Sequence, residues 1–196
     1  MMSRFPEDTA GITPVEDLFV YHIFGTPPAL KKWQARPETY RLEIKGLVGS
    51  PLSFSAEDIR NRFEPVTAVV ILQCMTRIHW GRVEVKGARL IDVINSAKPK
   101  PGAVKAAIYG GEGFTTDLFL EEIAKEPGRF LLAYEMNGEA LTADHGFPVR
   151  VVAEGKYAYK WCKWLTAIEI VDHDFKGHYE GVRRWSDKAT RGLPVI

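Results

Sequence analysis

The chain has 196 residues, 45% hydrophobic and 26% charged, and its 26 basic and 25 acidic side chains leave a formal net charge of +1. That balance excludes an intrinsically disordered chain and provides no overall field to attract nucleic acid or an anionic membrane. A chain of this length fits one domain, 1–196, and buries roughly two-thirds of the surface it exposes when unfolded.

No run approaches the roughly 20 apolar residues of a membrane span. Met1-Met2-Ser3-Arg4-Phe5-Pro6-Glu7-Asp8 has neither a signal-length apolar stretch nor a twin-Arg pair, so a cytoplasmic location is expected. Two cysteines, Cys74 and Cys162, are too few for a disulfide framework or a zinc ribbon.

Through about Lys32 the chain reads as an arm. Leu18-Phe19-Val20-Tyr21-His22-Ile23-Phe24 is ended by Gly25-Thr26-Pro27-Pro28, and the prolines exclude a long helix and favour an extended path across the domain. Tyr40 to Gly49 alternates apolar and charged residues, the period of a half-buried strand. Ser55, followed by Glu57 and Asp58, has the N-cap and acidic first turn of a short helix. Val66 to Leu72 is an apolar, β-branched strand that leads to Cys74 and a polar turn. Leu90, Val93, Ile94 and Ala97 fall on one face of a helix that Pro99 and Pro101 end.

Val104 to Tyr109 reads as a strand entering Gly110-Gly111-Glu112-Gly113, where glycine permits a sharp turn or a close approach to a ligand. Leu118 to Lys125 predicts another short helix and Phe130 to Glu135 a strand. Asn137-Gly138 predicts a hairpin turn, and Val149 to Ala153 and Leu165 to Val171 two further strands. Many short strands with a few short helices and no internal repeat predict an α+β fold, mainly β.

A thiol at the end of a buried strand is placed to bind a soft metal, which singles out Cys74. A zinc site built from Cys74, Cys162 and histidines is disfavoured, because the spacings match no zinc pattern. Leu72-Gln73-Cys74-Met75-Thr76-Arg77 resembles the cysteine segment of the sulfite-oxidase type of molybdopterin oxidoreductase. Leu131-Leu132-Ala133-Tyr134-Glu135-Met136-Asn137-Gly138, followed by Asp144-His145-Gly146-Phe147-Pro148-Val149-Arg150, resembles that family's pterin-binding part, in the same order along the chain. The single cofactor domain is also similar to the catalytic subunits of methionine-sulfoxide reductases of this type.

The resemblance implies the molybdopterin-binding fold of that family and a mononuclear molybdenum (or tungsten) centre on molybdopterin, with Cys74 as metal ligand and catalytic thiolate. It implies cofactor contacts from His22, His145 and Arg150, and from the segment Trp161, Cys162 and Lys163, in which Lys163 meets the phosphate and the Cys162 side chain serves as packing. Gly111 falls where relatives place a side chain against the cofactor, and here offers backbone only.

Tyr21, Arg77, His79 and Arg183 are the candidate substrate contacts. Tyr21 stands where sulfite oxidases carry an arginine, and Val182-Arg183-Arg184-Trp185 covers the place of their active-site tyrosine, so sulfite is expected to be a poor substrate. The implied activity is oxygen-atom transfer on a small oxyanion, sulfoxide or related oxo-compound. With no CxxCH haem attachment sequence, electrons are expected to pass to or from a separate protein or carrier. The alternative is a non-catalytic cofactor-binding or scaffold module of the same fold.

Overall fold

The computed structural model describes residues 10–196, so the reading of Met1 to Asp8 lies outside the described residues. From Ala10 onward the chain forms ten strands and five α-helices. Among the described residues the arm carries one 3-10 turn, at Val15–Asp17, runs extended past Phe19 and Tyr21, and ends in α1, Leu30–Ala35. The predicted strand after Tyr40 is β1, Leu42–Gly46, and a short β2, Leu52–Phe54, turns back along it.

Helix α2, Ala56–Arg62, begins as its sequence predicts. The Ser55 hydroxyl accepts from the Asp58 amide at 3.0 Å, and the Asp58 carboxylate accepts from the Ser55 amide at 2.8 Å. These two bonds satisfy orphan donors of the first turn. Strand β3, Pro65–Gln73, turns through Cys74 to His79 into β4, Trp80–Arg89. The full length of β4 is absent from the sequence expectations, although Val83 and Val85 alternate with Arg82, Glu84 and Lys86.

Helix α3, Leu90–Ser96, buries the predicted face of Leu90, Val93 and Ile94. Strand β5 is Lys105–Gly110. The stretch expected as one helix from Leu118 divides instead into β6, Thr115–Phe119, and α4, Leu120–Lys125. Pairing with β5 holds Leu118 opposite Ala106, so the strand takes the residues that helical spacing also fits. Strands β7, Phe130–Met136, and β8, Glu139–Ala140, are joined by Asn137 and Gly138, at φ of 52° and 83°. Both values are positive, as a tight hairpin turn requires. Strands β9, Arg150–Ala153, and β10, Leu165–Val171, and helix α5, His178–Val182, complete the order.

The strands build two five-stranded sheets. One has the order β2-β1-β10-β5-β6, with β1 and β10 parallel; the other runs β3-β4-β7, with β8 and β9 pairing different parts of β7. Side chains from both sheets and from α2 to α4 join one hydrophobic core. This is the mainly-β α+β architecture that the sequence implies. No helix among the described residues is long and apolar enough to cross a membrane.

Candidate functional site

The turn between β3 and β4 presents Cys74. Its amide donates to the His79 carbonyl at 2.8 Å, its carbonyl accepts from the Arg77 amide at 3.0 Å, and Arg77 takes φ of 67° to close the turn. Cys74 is partly exposed there, whereas Cys162 is 1% exposed and its thiol is pushed well up by burial, which keeps it a neutral packing group. The arm crosses the same turn, with Tyr21 Oη 3.0 Å from His79 Nδ1 and Phe19 packed beside both rings.

A cavity of about 390 Å³ opens beside Cys74. It brings together Tyr21, His22, Cys74, His145, Arg150, Trp161 and Lys163 from four stretches of chain. Gly146, at φ of 101°, lets the loop before β9 pack on the segment before β10; a Cβ there would meet Arg150 Cβ and Lys163 Cβ, each at 3.1 Å. The Arg150 guanidinium is 3% exposed and donates to the carbonyls of His145 at 3.1 Å and Trp161 at 3.2 Å. Its Nε is buried with no hydrogen-bond partner. Lys163 Nζ donates to the carbonyls of Tyr21 at 3.0 Å and Asp144 at 2.9 Å and lies 4.3 Å from the Trp164 ring, tying the arm to the site.

The site gathers four ionisable side chains, His145, Arg150, Lys163 and Glu112, in one cavity wall. Burial, then the charges of Arg150 and Lys163, hold the His145 imidazole down to about 4, so it is neutral at pH 7. Burial and the nearby Arg150 bring Lys163 down to about 7, and burial brings Arg150 to about 10. Glu112 faces this group, its carboxyl pushed up to about 7 by burial, with Oε2 buried and unpartnered. His22 Nε2 is also buried without a hydrogen bond, 3.6 Å from Asp144 Oδ1.

Other expected residues lie elsewhere. Gly111 is not in the cavity wall; its amide donates to the Trp164 carbonyl at 2.8 Å, and a Cβ would meet Trp33, Thr166 and Pro27, so its smallness serves packing. Arg77 points away, donating to Tyr157 Oη at 3.1 Å and the Gly192 carbonyl at 3.3 Å. Arg183 is exposed and outside the cavity, and His79 lines a neighbouring surface cleft with Tyr21. Sequence reasoning missed Glu112 as a site residue, although it lies between Gly111 and Gly113 of the marked glycine loop, and the aromatic residues Tyr159, Tyr179 and Trp185, which also line the cavity. Glu112 was findable as an acid inside a glycine turn. The aromatic side chains are brought there by tertiary folding alone.

A strand-end thiol, the buried Arg150 and the half-buried Lys163 thus line one cavity. Residues 28–179 match the family model described as the oxidoreductase molybdopterin binding domain. The chain is 34% identical over 143 residues to the uncharacterized oxidoreductase YuiH of Bacillus subtilis, covering 72% of this chain and 70% of that one. It is 32% identical to human mitochondrial sulfite oxidase, over 81% of this chain and 34% of that protein. The sulfane dehydrogenase SoxCD of Paracoccus pantotrophus superposes with a TM-score of 0.75 at 26% identity, covering 91% of this chain and 47% of that one. The chain belongs to the sulfite-oxidase-type family of molybdopterin-binding oxidoreductases, and spans about a third of the sulfite oxidase and about half of the SoxCD chain.

Proposed function

We propose that this protein binds a molybdenum–molybdopterin cofactor in the cavity beside Cys74 and catalyses oxygen-atom transfer on a small oxo-compound, exchanging electrons with a separate carrier. The observation that carries the reading is one cavity lined by the Cys74 thiol, Arg150, Lys163, His145 and Glu112, two of which hold a buried polar atom without a partner. Arg150 Nε is an unused donor and Glu112 Oε2 an unused acceptor, where buried groups are ordinarily satisfied. A pterin offers acceptors and N–H donors along one edge, and its phosphate is an anion, so this donor set fits the group.

In this reading the Cys74 thiolate ligates the metal, the soft donor that molybdenum favours over an alkoxide. Arg150 and Lys163 meet the phosphate and pterin acceptors, and an anion beside Lys163 restores its positive charge at neutral pH. Glu112 accepts from pterin N–H groups, and neutral His145 keeps one ring nitrogen as a donor and the other as an acceptor. When bound, the group supplies a two-electron metal centre at which oxygen is gained or lost. Tyr21 and His79 cap the arm side of the turn that carries Cys74.

The test is elemental analysis of protein purified from a molybdate-supplied host, paired with fluorescence of the released, oxidised pterin. Near-stoichiometric metal and pterin are expected. Cys74→Ser should keep fold and pterin but lose turnover; turnover equal to the parent would remove Cys74 from the metal.

A further inference from the structure

The residues lining the cavity fall into two groups by their neighbours. Arg150, Lys163, His145 and Glu112 feel one another's charge. Around Cys74 the wall is aromatic: the Tyr179 and Trp185 rings stack at 4.2 Å with planes 3° apart, and Tyr159 meets them edge-on at 5.7 and 5.2 Å. Met75, next to Cys74, packs on this cluster, and the Tyr179 phenol is pushed up first by burial and then by Cys74 itself.

The wall is held rigidly. Beside Tyr159, the Lys160 ammonium is fully buried and paired with Asp117 at 2.9 Å and Glu180 at 2.5 Å. Glu180 is next to Tyr179 and accepts from Thr116 Oγ1 at 2.9 Å; Asp187, two residues after Trp185, pairs with Lys105 at 2.8 Å. Each wall ring thus sits within two residues of a pinned charge, a preorganised flat apolar surface.

Among the described residues no lysine or arginine other than Arg150 and Lys163 lines the cavity, and the one whose charge reaches the Tyr179 phenol, Arg183, is exposed outside the lining. Arg150 and Lys163 belong to the other group, the Arg77 guanidinium is engaged by Tyr157 and Gly192, and Arg184 is exposed outside the lining as well. An inorganic oxyanion would lose its hydration here with only the exposed, water-screened Arg183 nearby in return. A neutral molecule with a flat apolar group would instead pack against the outer side of the stacked pair of Tyr179 and Trp185 and the Tyr159 ring.

We propose that Tyr159, Tyr179 and Trp185 are specificity-determining residues that select a neutral oxo-compound with an aryl or similarly flat apolar substituent over an inorganic oxyanion. This rests on the oxidoreductase reading above and narrows its substrate class. With a sulfoxide and reduced methyl viologen the balance closes: the S–O bond breaks, sulfur gains two electrons from two dye molecules, and the oxygen leaves with two protons as water.

The test compares molybdenum-loaded protein on methyl phenyl sulfoxide, dimethyl sulfoxide and nitrate with reduced methyl viologen, and on sulfite with ferricyanide. Binding of unreactive methyl phenyl sulfone is followed by calorimetry. Expected are a kcat/KM for methyl phenyl sulfoxide about tenfold or more above the other three, saturable sulfone binding, and loss of both in Tyr179→Leu and Trp185→Leu. The conservative Tyr179→Phe and Trp185→Phe should retain them, which separates stacking from misfolding. Nitrate or sulfite turned over as well as the aryl sulfoxide would overturn the wall's role while leaving the enzyme reading intact. Aryl preference and sulfone binding that persist in both leucine variants would overturn it as well. Loaded protein that turns over none of the four would defeat the enzyme reading and the inference together.

Discussion

Arg150 and Glu112 show how single residues at this site trade stability for binding. Arg150→Ala removes a buried guanidinium whose charge-assisted bonds to a cofactor are each worth about 1.5–3 kcal/mol. Cofactor retained after dialysis should therefore fall about tenfold or more relative to the parent, read as molybdenum per chain; unchanged occupancy would make Arg150 purely structural. Glu112 is the opposite case. Its carboxyl ionises at about 7 in the folded chain and at about 4.3 unfolded. Between those values the folded state holds the extra proton, so its contribution to stability is present at low pH and declines as pH rises to about 7. Glu112→Gln in the cofactor-free protein should thus raise Tm at pH 8, by about 2–4 °C for each kcal/mol relieved, and leave it nearly unchanged at pH 4. A Tm gain equal at both pH values would show that the carboxyl does not carry the cost. The same variant should hold less pterin.

Strand β4 is the element on which both halves of the site depend, because it carries the Cys74 turn at one end and pairs with β7 at the other. Its two glycines do different work. At Gly87, where the β4–β7 register shifts, a Cβ would meet the Leu132 carbonyl and the Ala133 Cα, backbone atoms that cannot move aside. At Gly81 a Cβ would meet only the end of the Leu18 side chain. Gly87→Ala should therefore destabilise by about 1–3 kcal/mol in urea unfolding, and Gly81→Ala by less. Equal losses would mean that Leu18 is as fixed as the backbone. The sequence reading passed over β4 because its run of Val83 and Val85 among charges is short and bounded by glycines, and it marked the helix that follows instead. It found β7, β9 and β10 because apolar runs buried on both faces stand out without any partner being known, and β3 because its β-branched run is contiguous even though Val69 within it is exposed.

Across the molecule, the buried charges tie the C-terminal segment to the sheet of β5 and β6. Lys160 and Lys105 both reach Asp117, which is fully buried, while Lys176 pairs with Asp187 and, at 3.0 Å, with Asp174. Lys160→Met leaves Asp117 and Glu180 short of a counter-charge in the interior, a loss of about 3–5 kcal/mol, and should raise hydrogen exchange throughout residues 178–187; a loss under 1 kcal/mol with unchanged exchange would show the cluster to be dispensable. The cluster also sets an acid limit. Hydrogen bonds from Lys105 and Lys176 hold Asp174 down to about 2, and for Asp187 they outweigh the upward effect of burial. Carboxyls depressed in the folded state stabilise above their unfolded value, about 3.9. That contribution should fade as pH drops from about 4 toward 2, visible as a falling unfolding midpoint that is absent in Asp174→Asn with Asp187→Asn.

By itself the sequence determined the fold class, most of the strands and the residue types of a cofactor site, because those follow from local periodicity, capping and contiguous motifs. Cys74, His145, Arg150 and Lys163 were singled out because their segments resemble the cysteine and pterin-binding segments of the family, not because their local composition sets them apart. Only the tertiary structure decided which of the other candidates reach the cavity. Arg77 is engaged by Tyr157 and Gly192, Arg183 is exposed outside the lining, Gly111 packs behind the cavity, and Glu112 and the Tyr159, Tyr179 and Trp185 wall enter it. Side-chain direction in loops and turns depends on distant packing and buried ion pairs between residues tens of positions apart, and no local pattern in the chain encodes that.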